Sequence, residues 1–397
     1  MQRLAYFVSH PIQYQAPLLR QLAADPDISF KVFFFSDFSL RAYRDADSPG
    51  GLGQSIQWDI PLTDGYDYHF LDCWGSKQRK NIFVQPIAKD IAAQLKIGQF
   101  DAVWVHGWFW LCNLQAILAA KDLGIPVLFR GDTNGLTEPT SPVKKEAKRI
   151  LFNWLSSKID RFLYIGTLNH RFYQTSGVPQ EKLFSMPYAV DNNYFQQGAK
   201  TAHVTRESLR QSLNLEAGRP IILYAGRLIL VKRPLDLLNA YRFLSSDGIQ
   251  EPEPYLLFAG EGDLRPELEA AAQATGWNSI RFLGFQNQSY LPGLYDLCDV
   301  FVLPSNFEPW GLTINEVLNA GKAVVLSDKV GCGLDLVSDG QNGRIFSVGD
   351  IPDLVESIQW AIAHAQTAGE HSLKKIQNWG IPESIAGLKI SLRSLQE

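Results

Sequence analysis

The feature of this 397-residue sequence that most restricts its fold is the alternation of short apolar runs with longer helix-like segments. Several of the runs are apolar at every position, which is typical of strands that are covered on both faces of a sheet. The helix-length segments between them predict βαβ units and parallel sheets. The runs occupy residues 3–8, 28–35, 102–106, 126–130, 161–165, 184–188, 220–225, 255–259, 281–283, 300–303, 323–326 and 344–346.

A polar stretch at residues 196–218 divides these runs into two series. We therefore expect an α/β protein with two doubly wound parallel-sheet domains that face each other across a cleft. The predicted domains are residues 1–197 and 198–375, and residues 376–397 are expected to form a helix and tail that pack back toward the N-terminal domain. Doubly wound sheets bind ligands beyond the carboxyl ends of their strands, so functional side chains are expected in the loops that follow the strands.

Composition excludes several classes of protein. The net charge is −4, whereas a nucleic-acid binder usually carries a basic excess, so no nucleic-acid partner is expected. The apolar content of 46% and the charged content of 20% are those of an ordinary globular protein. Four widely spaced cysteines without a C-x-x-C pair predict neither a disulfide framework nor a zinc site. With no secretory signal or membrane span predicted, we expect a cytoplasmic protein.

The segment with the most chemical information is residues 300–337, in which a strand is followed by a polar loop and then a helix. The amides of Gly311, Leu312 and Thr313 at the start of that helix can bind a phosphate. Glu308, in the loop, can accept hydrogen bonds from the hydroxyls of a sugar, and Glu316, in the helix, can accept two from a ribose diol. Taken in isolation, Glu308 and Glu316 would be assigned as solvated surface residues, and it is the surrounding sequence that favours a binding role.

A second segment, residues 224–235, follows the first strand of the second series. Its loop contains Gly226, Arg227 and Lys232. The planar guanidinium of arginine and the point charge of lysine both suit a diphosphate. The alternative is a solvated basic loop, which is a common surface feature.

Together these segments resemble the donor site of retaining glycosyltransferases of the family 4 type, the glycosyl transferases group 1, which have the GT-B fold of two Rossmann-like domains. The resemblance rests first on Glu308 and Glu316, with Gly226, Arg227 and Lys232. It is supported by four further segments in the family's order, which are VDNNYF at 190–195, FAGEGDL at 258–264, RFLGF at 281–285 and GRIF at 343–346. It is strong over most of residues 180–350 and weaker in the N-terminal half.

The resemblance implies a role for each matching residue. Arg227 and Lys232 would hold the donor diphosphate, and Glu308 would contact the transferred sugar. Glu316 would bind the ribose hydroxyls. The residues that it assigns to catalysis are Glu308, Arg227, Lys232 and His106. The residues that it assigns to donor binding are Gly226, Glu316, Gly311, Leu312, Thr313 and Phe285.

His106 ends the strand at 102–106, where the family has a histidine that faces the donor sugar; the alternative is a histidine that is hydrogen-bonded at a strand end. The family uses a nucleotide-diphosphate-sugar as co-substrate, without a cofactor or an essential metal. The D-x-D sequence at 45–47 lies in a predicted loop and does not suggest a metal site. We therefore expect no metal ligands and no cofactor.

The first strand-to-helix loop, residues 9–17, departs from the family pattern because it contains no glycine. Its polar and aromatic side chains can contact the donor where relatives present bare backbone, or they can contact the acceptor. The alternative is a capped turn. The loop after the strand at 126–130 can bind acceptor hydroxyls, or Asp132 or Thr133 can cap a helix. The acceptor-binding candidates are His10, Gln13, Tyr14, Arg130, Asp132 and Asn134. The aromatic run at 107–110 is either a platform for a sugar ring or part of the core.

Residues 141–161 carry six basic and two acidic residues, a difference of four, together with an apolar set that includes Trp154. A basic amphipathic helix of this kind can lie on an anionic membrane surface. The alternative is an ordinary domain helix with its basic residues in water. Membrane contact on the cytoplasmic face would fit an acceptor that is built on a lipid carrier.

The function expected from these features is transfer of a sugar to a hydroxyl acceptor with retention of anomeric configuration, an EC 2.4 hexosyltransferase-like activity in cell-surface polysaccharide or glycolipid biosynthesis. The acceptor can be a glycan, a lipid-linked glycan or a small molecule. One alternative is a sugar-nucleotide epimerase on the same fold, with Asp132 or Glu138 as an added acid–base group. Another is a non-catalytic nucleotide-sugar-binding protein. The sequence leaves open the base, the sugar and the oligomeric state.

Overall fold

Parallel strands form two sheets, one in each of the two units into which the chain divides. The first unit comprises residues 1–43, 60–190 and 380–397, and the second comprises residues 44–59 and 191–379. The structure is a computed structural model that describes residues 1–40, 43–44, 55–75, 86–108, 110–136, 141–246, 252–274 and 276–396. The sequence predicted the domain boundary at residues 197/198, whereas the second unit begins again at Asp191.

The sheet of the first unit has seven strands, all paired in parallel. In chain order they are β1 (Gln2–Val8), β2 (Ile28–Phe34), β3 (Asp67–Phe70), β4 (Ala102–His106), β5 (Val127–Arg130), β6 (Arg161–Tyr164) and β7 (Leu183–Ser185). Their order across the sheet is β7-β6-β5-β4-β1-β2-β3. The winding direction reverses between β1 and β4, and the carboxyl ends of these two strands are the topological switch point where such sheets bind ligands.

The sheet of the second unit has six strands, again all parallel. They are β8 (Ile221–Ala225), β9 (Tyr255–Ala259), β10 (Ile280–Gly284), β11 (Val300–Leu303), β12 (Ala323–Ser327) and β13 (Gly343–Phe346). Their order is β10-β9-β8-β11-β12-β13, which is the order of a dinucleotide-binding sheet. Its switch point lies between β8 and β11.

Helices cover both faces of each sheet. Those of the first unit are α1 (Ala16–Ala23), α2 (Ile91–Gly98), α3 (Leu111–Asp122), α4 (Pro142–Ser156), α5 (Thr167–Thr175) and the last helix, α15 (Ile381–Arg393). Those of the second unit are α6 (Asn192–Val204), α7 (Arg206–Ser212), α8 (Pro234–Ser246), α9 (Arg265–Ala274), α10 (Leu291–Leu297), α11 (Leu312–Asn319), α12 (Gly333–Leu336), α13 (Ile351–Ala363) and α14 (Ala365–Ile376).

The continuously apolar runs are buried on both sides, as their pattern predicted. Successive side chains of a strand point to opposite faces. In β1, Ala5 and Phe7 pack into one core cluster, and Leu4, Tyr6 and Val8 pack into the cluster on the other face. The predicted α/β class with two doubly wound parallel sheets is therefore confirmed.

Three local features differ from the sequence-based expectation or extend it. The polar stretch at residues 196–218 begins inside the helix Asn192–Val204, which Asp191 caps by accepting a hydrogen bond from the amide of Tyr194. The edge strand β3 has no counterpart among the predicted runs. The C-terminal helix α15 belongs to the first unit, where Lys389 forms an ion pair with Asp25.

Candidate functional site

The switch point of the second sheet brings together two charged residues that lie 76 positions apart in the chain. Lys232 ends a short 3₁₀ turn, Leu230–Lys232, in the loop after β8, and Glu308 lies in the loop after β11. The Lys232 Nζ donates a hydrogen bond to the Glu308 carboxylate. The two side chains are only 17% and 16% exposed, so the ion pair is largely removed from water.

Backbone hydrogen bonds hold these two loops in place. The amide of Asn306 donates to the carbonyl of Val231 over 2.9 Å, which joins the loop after β11 to the turn that carries Lys232. The backbone of Glu308 forms two hydrogen bonds: its amide donates to the Lys329 carbonyl, and its carbonyl accepts from the Gly331 amide. The side chain of Glu308 therefore extends from a fixed backbone.

The charges around Lys232 favour an anion. Burial, and then the neighbouring Arg227 charge, lower the pKa of Lys232 to about 8. The carboxylate of Glu308, which pairs with Lys232, favours the charged ammonium. Gly226, between β8 and Arg227, continues the strand pairing with a hydrogen bond from its amide to the carbonyl of Ala259. Two cationic side chains in one largely buried loop suit a phosphate or diphosphate group.

Helix α11 begins beside this pair. Gly311 precedes it with a φ of +99°, a backbone conformation that favours glycine, and a Cβ atom there would lie 3.1 Å from the side chain of Val330. The amides of Leu312 and Thr313 form the first turn. The predicted start of the helix at Leu312 is confirmed. A helix N-terminus can bind an anion, and phosphate binding by these amides stays a prediction.

Glu316 lies one turn further along α11. Its carboxylate accepts a hydrogen bond of 2.6 Å from the Tyr295 hydroxyl. Burial raises the pKa of Glu316 to about 7, and the Tyr295 hydrogen bond partly opposes this shift. The group therefore changes charge near neutral pH and can accept hydrogen bonds as a carboxylate above it.

Phe285, the remaining donor candidate, follows β10. Its ring meets that of Trp58 edge to face, with the ring centroids 6.0 Å apart and an interplanar angle of 69°. Trp58 belongs to residues 44–59, which are part of the second unit. The sequence analysis did not identify Trp58, because nothing in the local sequence indicates that this segment lies beside β10.

The switch point of the first sheet contains His106 at the end of β4. The amide nitrogen of the Gln15 side chain donates to His106 Nε2 over 3.2 Å, and the Gln15 oxygen accepts from Tyr6. These bonds place the ring proton of neutral His106 on Nδ1. Burial, and then the charges of Arg130 and His10, lower the pKa of His106 to about 3, so the ring is neutral at physiological pH.

Two of the acceptor candidates belong to one cluster in the structure. Tyr14 and Arg130 come together with His106 around Tyr188. The hydroxyl of Tyr188 lies 3.3 Å from His106 Nε2, its ring is 6.0 Å from that of Tyr14, and the guanidinium of Arg130 lies 4.6 Å from its ring centroid. Gln15 and Tyr188 are members of this cluster that the sequence analysis missed, since neither belongs to a recognisable motif.

Arg130 is buried, and its Nη2 donates to the carbonyls of Met186 and Pro187. This guanidinium therefore contributes to the backbone arrangement beside Tyr188. A small pocket next to it is lined by Tyr14, Gln15, Leu18, Arg130, Tyr188, Ala189, Ile381 and Ser384. Burial raises the pKa of Asp132 nearby.

The structure gives other contacts for the remaining acceptor candidates. His10 Nδ1 is 2.7 Å from the Ser9 hydroxyl, and its ring lies against Phe38. Asn134 accepts a hydrogen bond from the amide of Leu136 within its own turn. Gln13 is partly buried. A binding role for each of these residues stays a prediction.

Two of the alternatives for this region are decided by the fold. Neither Asp132 nor Thr133 caps a helix, because residues 134–136 are not helical. In the part of the chain that the structure describes, the next helix begins at Pro142, with Ser141 as its N-cap residue. Trp108 and Trp110 pack against the core cluster that includes Phe129, which favours core packing over a sugar platform. Phe109, Glu138 and the D-x-D sequence at 45–47 lie outside the described residues.

Comparison with known proteins places these features in a family. The family model for glycosyl transferases group 1 matches residues 205–376. Spore coat protein SA of Bacillus subtilis is 30% identical over 269 residues, which are 64% of this chain and 67% of that protein. The chain belongs to the glycosyl transferases group 1 family.

Alpha-D-kanosaminyltransferase of Streptomyces kanamyceticus is 27% identical over 252 residues. The alignment covers 61% of this chain and 62% of that relative, less than two thirds of its length. Among solved structures, the Anabaena protein HepE in complex with UDP superposes with a TM-score of 0.73 at 18% identity, over 99% of this chain and 100% of that one. This likeness identifies the fold as that of GT-B glycosyltransferases.

Proposed function

We propose that this chain is a retaining glycosyltransferase that moves a sugar from a nucleotide-diphosphate-sugar to a hydroxyl acceptor. The observation that carries the proposal is the buried Lys232–Glu308 pair at the switch point of the second sheet, with the charge of Arg227 beside it. Family membership supports transfer chemistry, and the solved relative HepE holds UDP, which is the ligand class proposed for this site.

The reaction breaks the bond between the anomeric carbon and the diphosphate oxygen, and it forms a bond from that carbon to the acceptor oxygen. The departing diphosphate gains negative charge and takes the proton of the acceptor hydroxyl on the same face, which retains the configuration. Arg227 and Lys232 stabilise that charge, and the loss of one such group costs on the order of 3–4 kcal/mol of transition-state stabilisation.

Glu308 has two roles in this scheme. Before the donor binds, its carboxylate is the anion that pairs with Lys232. When the diphosphate takes that place, Glu308 becomes available to accept hydrogen bonds from the hydroxyls of the transferred sugar. Glu316 accepts from the ribose hydroxyls, and His106 contacts the sugar as a neutral ring.

We infer that the acceptor is carried at a membrane surface, in cell-surface polysaccharide or glycolipid assembly. Helix α4 buries Phe152 and Leu155 but exposes Val143, Ile150 and Trp154. These exposed apolar side chains lie in a segment with a charge excess of four basic residues. This combination favours an anionic bilayer surface as the partner. No helix within the described ranges is long and apolar enough to span a membrane.

The proposal is tested by thermal stabilisation with UDP, GDP, ADP and dTDP, with Mg²⁺ or with EDTA, followed by product analysis with the sugar nucleotide that binds best. A ligand at 100 times its Kd stabilises the folded state by about 2.7 kcal/mol. We expect one nucleotide to raise the melting temperature by the same amount with Mg²⁺ and with EDTA. We expect the transferred sugar to have the same anomeric configuration in the product as in the donor. A free epimeric sugar without acceptor would indicate the epimerase instead, and binding without any turnover would indicate a binding protein.

Membrane contact is tested by sedimentation with vesicles of phosphatidylglycerol and of phosphatidylcholine. We expect binding to the anionic vesicles only, and loss of binding when Ile150 and Trp154 are both replaced by Ser. Equal sedimentation of this double variant would contradict the role of α4.

A further inference from the structure

Residues 57–59 lie against the loop that follows β10, although they are far from it in the sequence. The side-chain amide of Asn287 donates to the carbonyl of Gln57 over 2.7 Å. The carboxylate of Asp59 accepts hydrogen bonds from the amide and the hydroxyl of Ser289. The residue between them, Trp58, is therefore held at both of its chain neighbours.

The ring of Trp58 is presented beside Phe285. The two rings meet edge to face, so the contact covers a flat face of only one of them. Trp58 and Phe285 are each only partly buried. An aromatic pair of this kind, with accessible ring surface, is suited to stacking with a planar heteroaromatic ring.

This aromatic pair lies on the same sheet edge as the proposed diphosphate site. Strands β8, β9 and β10 are neighbours and parallel, so the loops after them follow one another along one edge. Adjacent strands are about 4.8 Å apart, which separates the ends of β8 and β10 by about 10 Å. The Arg227 loop thus lies at one end of this row and Phe285 at the other.

Close contacts hold the three loops in a fixed relation. The amide of Leu228 donates to the carbonyl of Glu261 over 2.8 Å, and a Cβ atom on Gly260 would overlap the carbonyl oxygen of Gly226. On the other side, a Cβ atom on Gly284 would lie 3.1 Å from the Glu261 carboxylate. The distance between the cationic loop and the aromatic pair is therefore set by the fold.

We propose that Trp58 is a base-binding residue, which stacks with the nucleobase of the donor while Arg227 and Lys232 hold its diphosphate. The proposal rests on the proposed function, and it adds a specificity-determining side chain from a segment outside the family-model match of residues 205–376. Asp59 and Asn287 are positioning residues, because they hold the backbone on either side of the ring.

The test compares nucleotides with a ligand that has no base. Titration calorimetry measures the Kd of UDP, GDP and ADP, and of inorganic pyrophosphate, for the wild type and for Trp58→Ala, Trp58→Phe and Trp74→Ala. Trp74, in the first unit, is 65% exposed and serves as the matched tryptophan control. Stacking of one base contributes about 1–3 kcal/mol, which corresponds to a loss of about fivefold to 150-fold in affinity.

We expect Trp58→Ala to weaken the preferred nucleotide by this factor and to leave the pyrophosphate Kd within about twofold of wild type. Trp58→Phe should retain most of the affinity, and Trp74→Ala should retain all of it. An unchanged nucleotide Kd in Trp58→Ala would overturn the proposal and leave Trp58 as a packing residue only. An equal loss for pyrophosphate would overturn it as well, because the whole loop would then have moved. If the wild type binds none of these nucleotides, it is the proposed function that fails, and the base-binding role with it.

Discussion

Replacing Glu308 by Gln should tighten the binding of a simple diphosphate, although it removes a residue proposed to act in catalysis. In the structure the Glu308 carboxylate is bonded to Lys232. A diphosphate that binds Lys232 must displace this internal anion. Glutamine keeps the shape of the side chain but competes for the ammonium group only as a neutral acceptor.

The magnitude follows from the burial of the pair. An ion pair in water contributes up to about 1 kcal/mol, and a hydrogen bond to a charged group contributes about 1.5–3 kcal/mol net. The two side chains are only 17% and 16% exposed, so the second range applies rather than the first. Because glutamine still offers a neutral acceptor to Lys232, we take the lower end of that range, about 1.5 kcal/mol. This corresponds to about a tenfold lower Kd for the diphosphate.

The assay is calorimetric titration with pyrophosphate at pH 6.5, where Lys232 is cationic because its pKa is about 8. Glu316→Gln is the matched control, since Glu316 is bonded to Tyr295 and should leave the pyrophosphate Kd unchanged. A double-mutant cycle with Lys232→Met isolates the pair. The reasoning is refuted if Glu308→Gln binds pyrophosphate no more tightly than wild type, or if the gain persists when Lys232 is Met.

Three further predictions concern ionisation and ribose contact. The Kd of pyrophosphate should rise as the pH increases through about 8, where Lys232 loses its charge, and Lys232→Arg should show no such step because arginine stays cationic. Glu316→Ala should weaken UDP but not its 2′,3′-dideoxy analogue, and an equal loss for both ligands would contradict the ribose role. The ring NMR signals of His106 should not shift between pH 8 and 5. The pKa of His106 is about 3 in the folded state and 6.5 in the unfolded state, so the unfolded state binds more protons between these values. The free energy of unfolding, measured by urea denaturation, should therefore fall as the pH drops below 6.5. A His106→Asn variant should lack this part of the pH dependence.

The strands of both sheets were predictable because most of them are buried on both faces and therefore apolar throughout. The exception, β3, shows the limit of that signal. It is an edge strand in which Asp67 and Tyr68 are exposed. The strand therefore lacks the continuous apolar run by which the other strands were predicted. The helix Asn192–Val204 was not predicted for a related reason, because the polar composition of a partly exposed helix resembles that of a loop.

The candidate site was predictable where a motif identifies a residue by its local sequence, as for Arg227, Lys232, Glu308 and Glu316. Their partners were not, since hydrogen-bond geometry between distant segments has no local signature. The Tyr295–Glu316 bond, the Tyr188 cluster and the contact of Trp58 with Phe285 each join segments from different parts of the chain.

The sequence by itself determined the alternation of strands and helices, because burial on both faces of a strand or on one face of a helix imposes a short-range apolar period. It also determined which residue types stand at the carboxyl ends of the strands. Only the tertiary structure decided the order of the strands across each sheet, and with it which loops meet at a switch point. The same packing lowers the pKa of His106, raises that of Glu316 and pairs Lys232 with Glu308, because these effects depend on burial and on neighbours that are close in space but not in sequence.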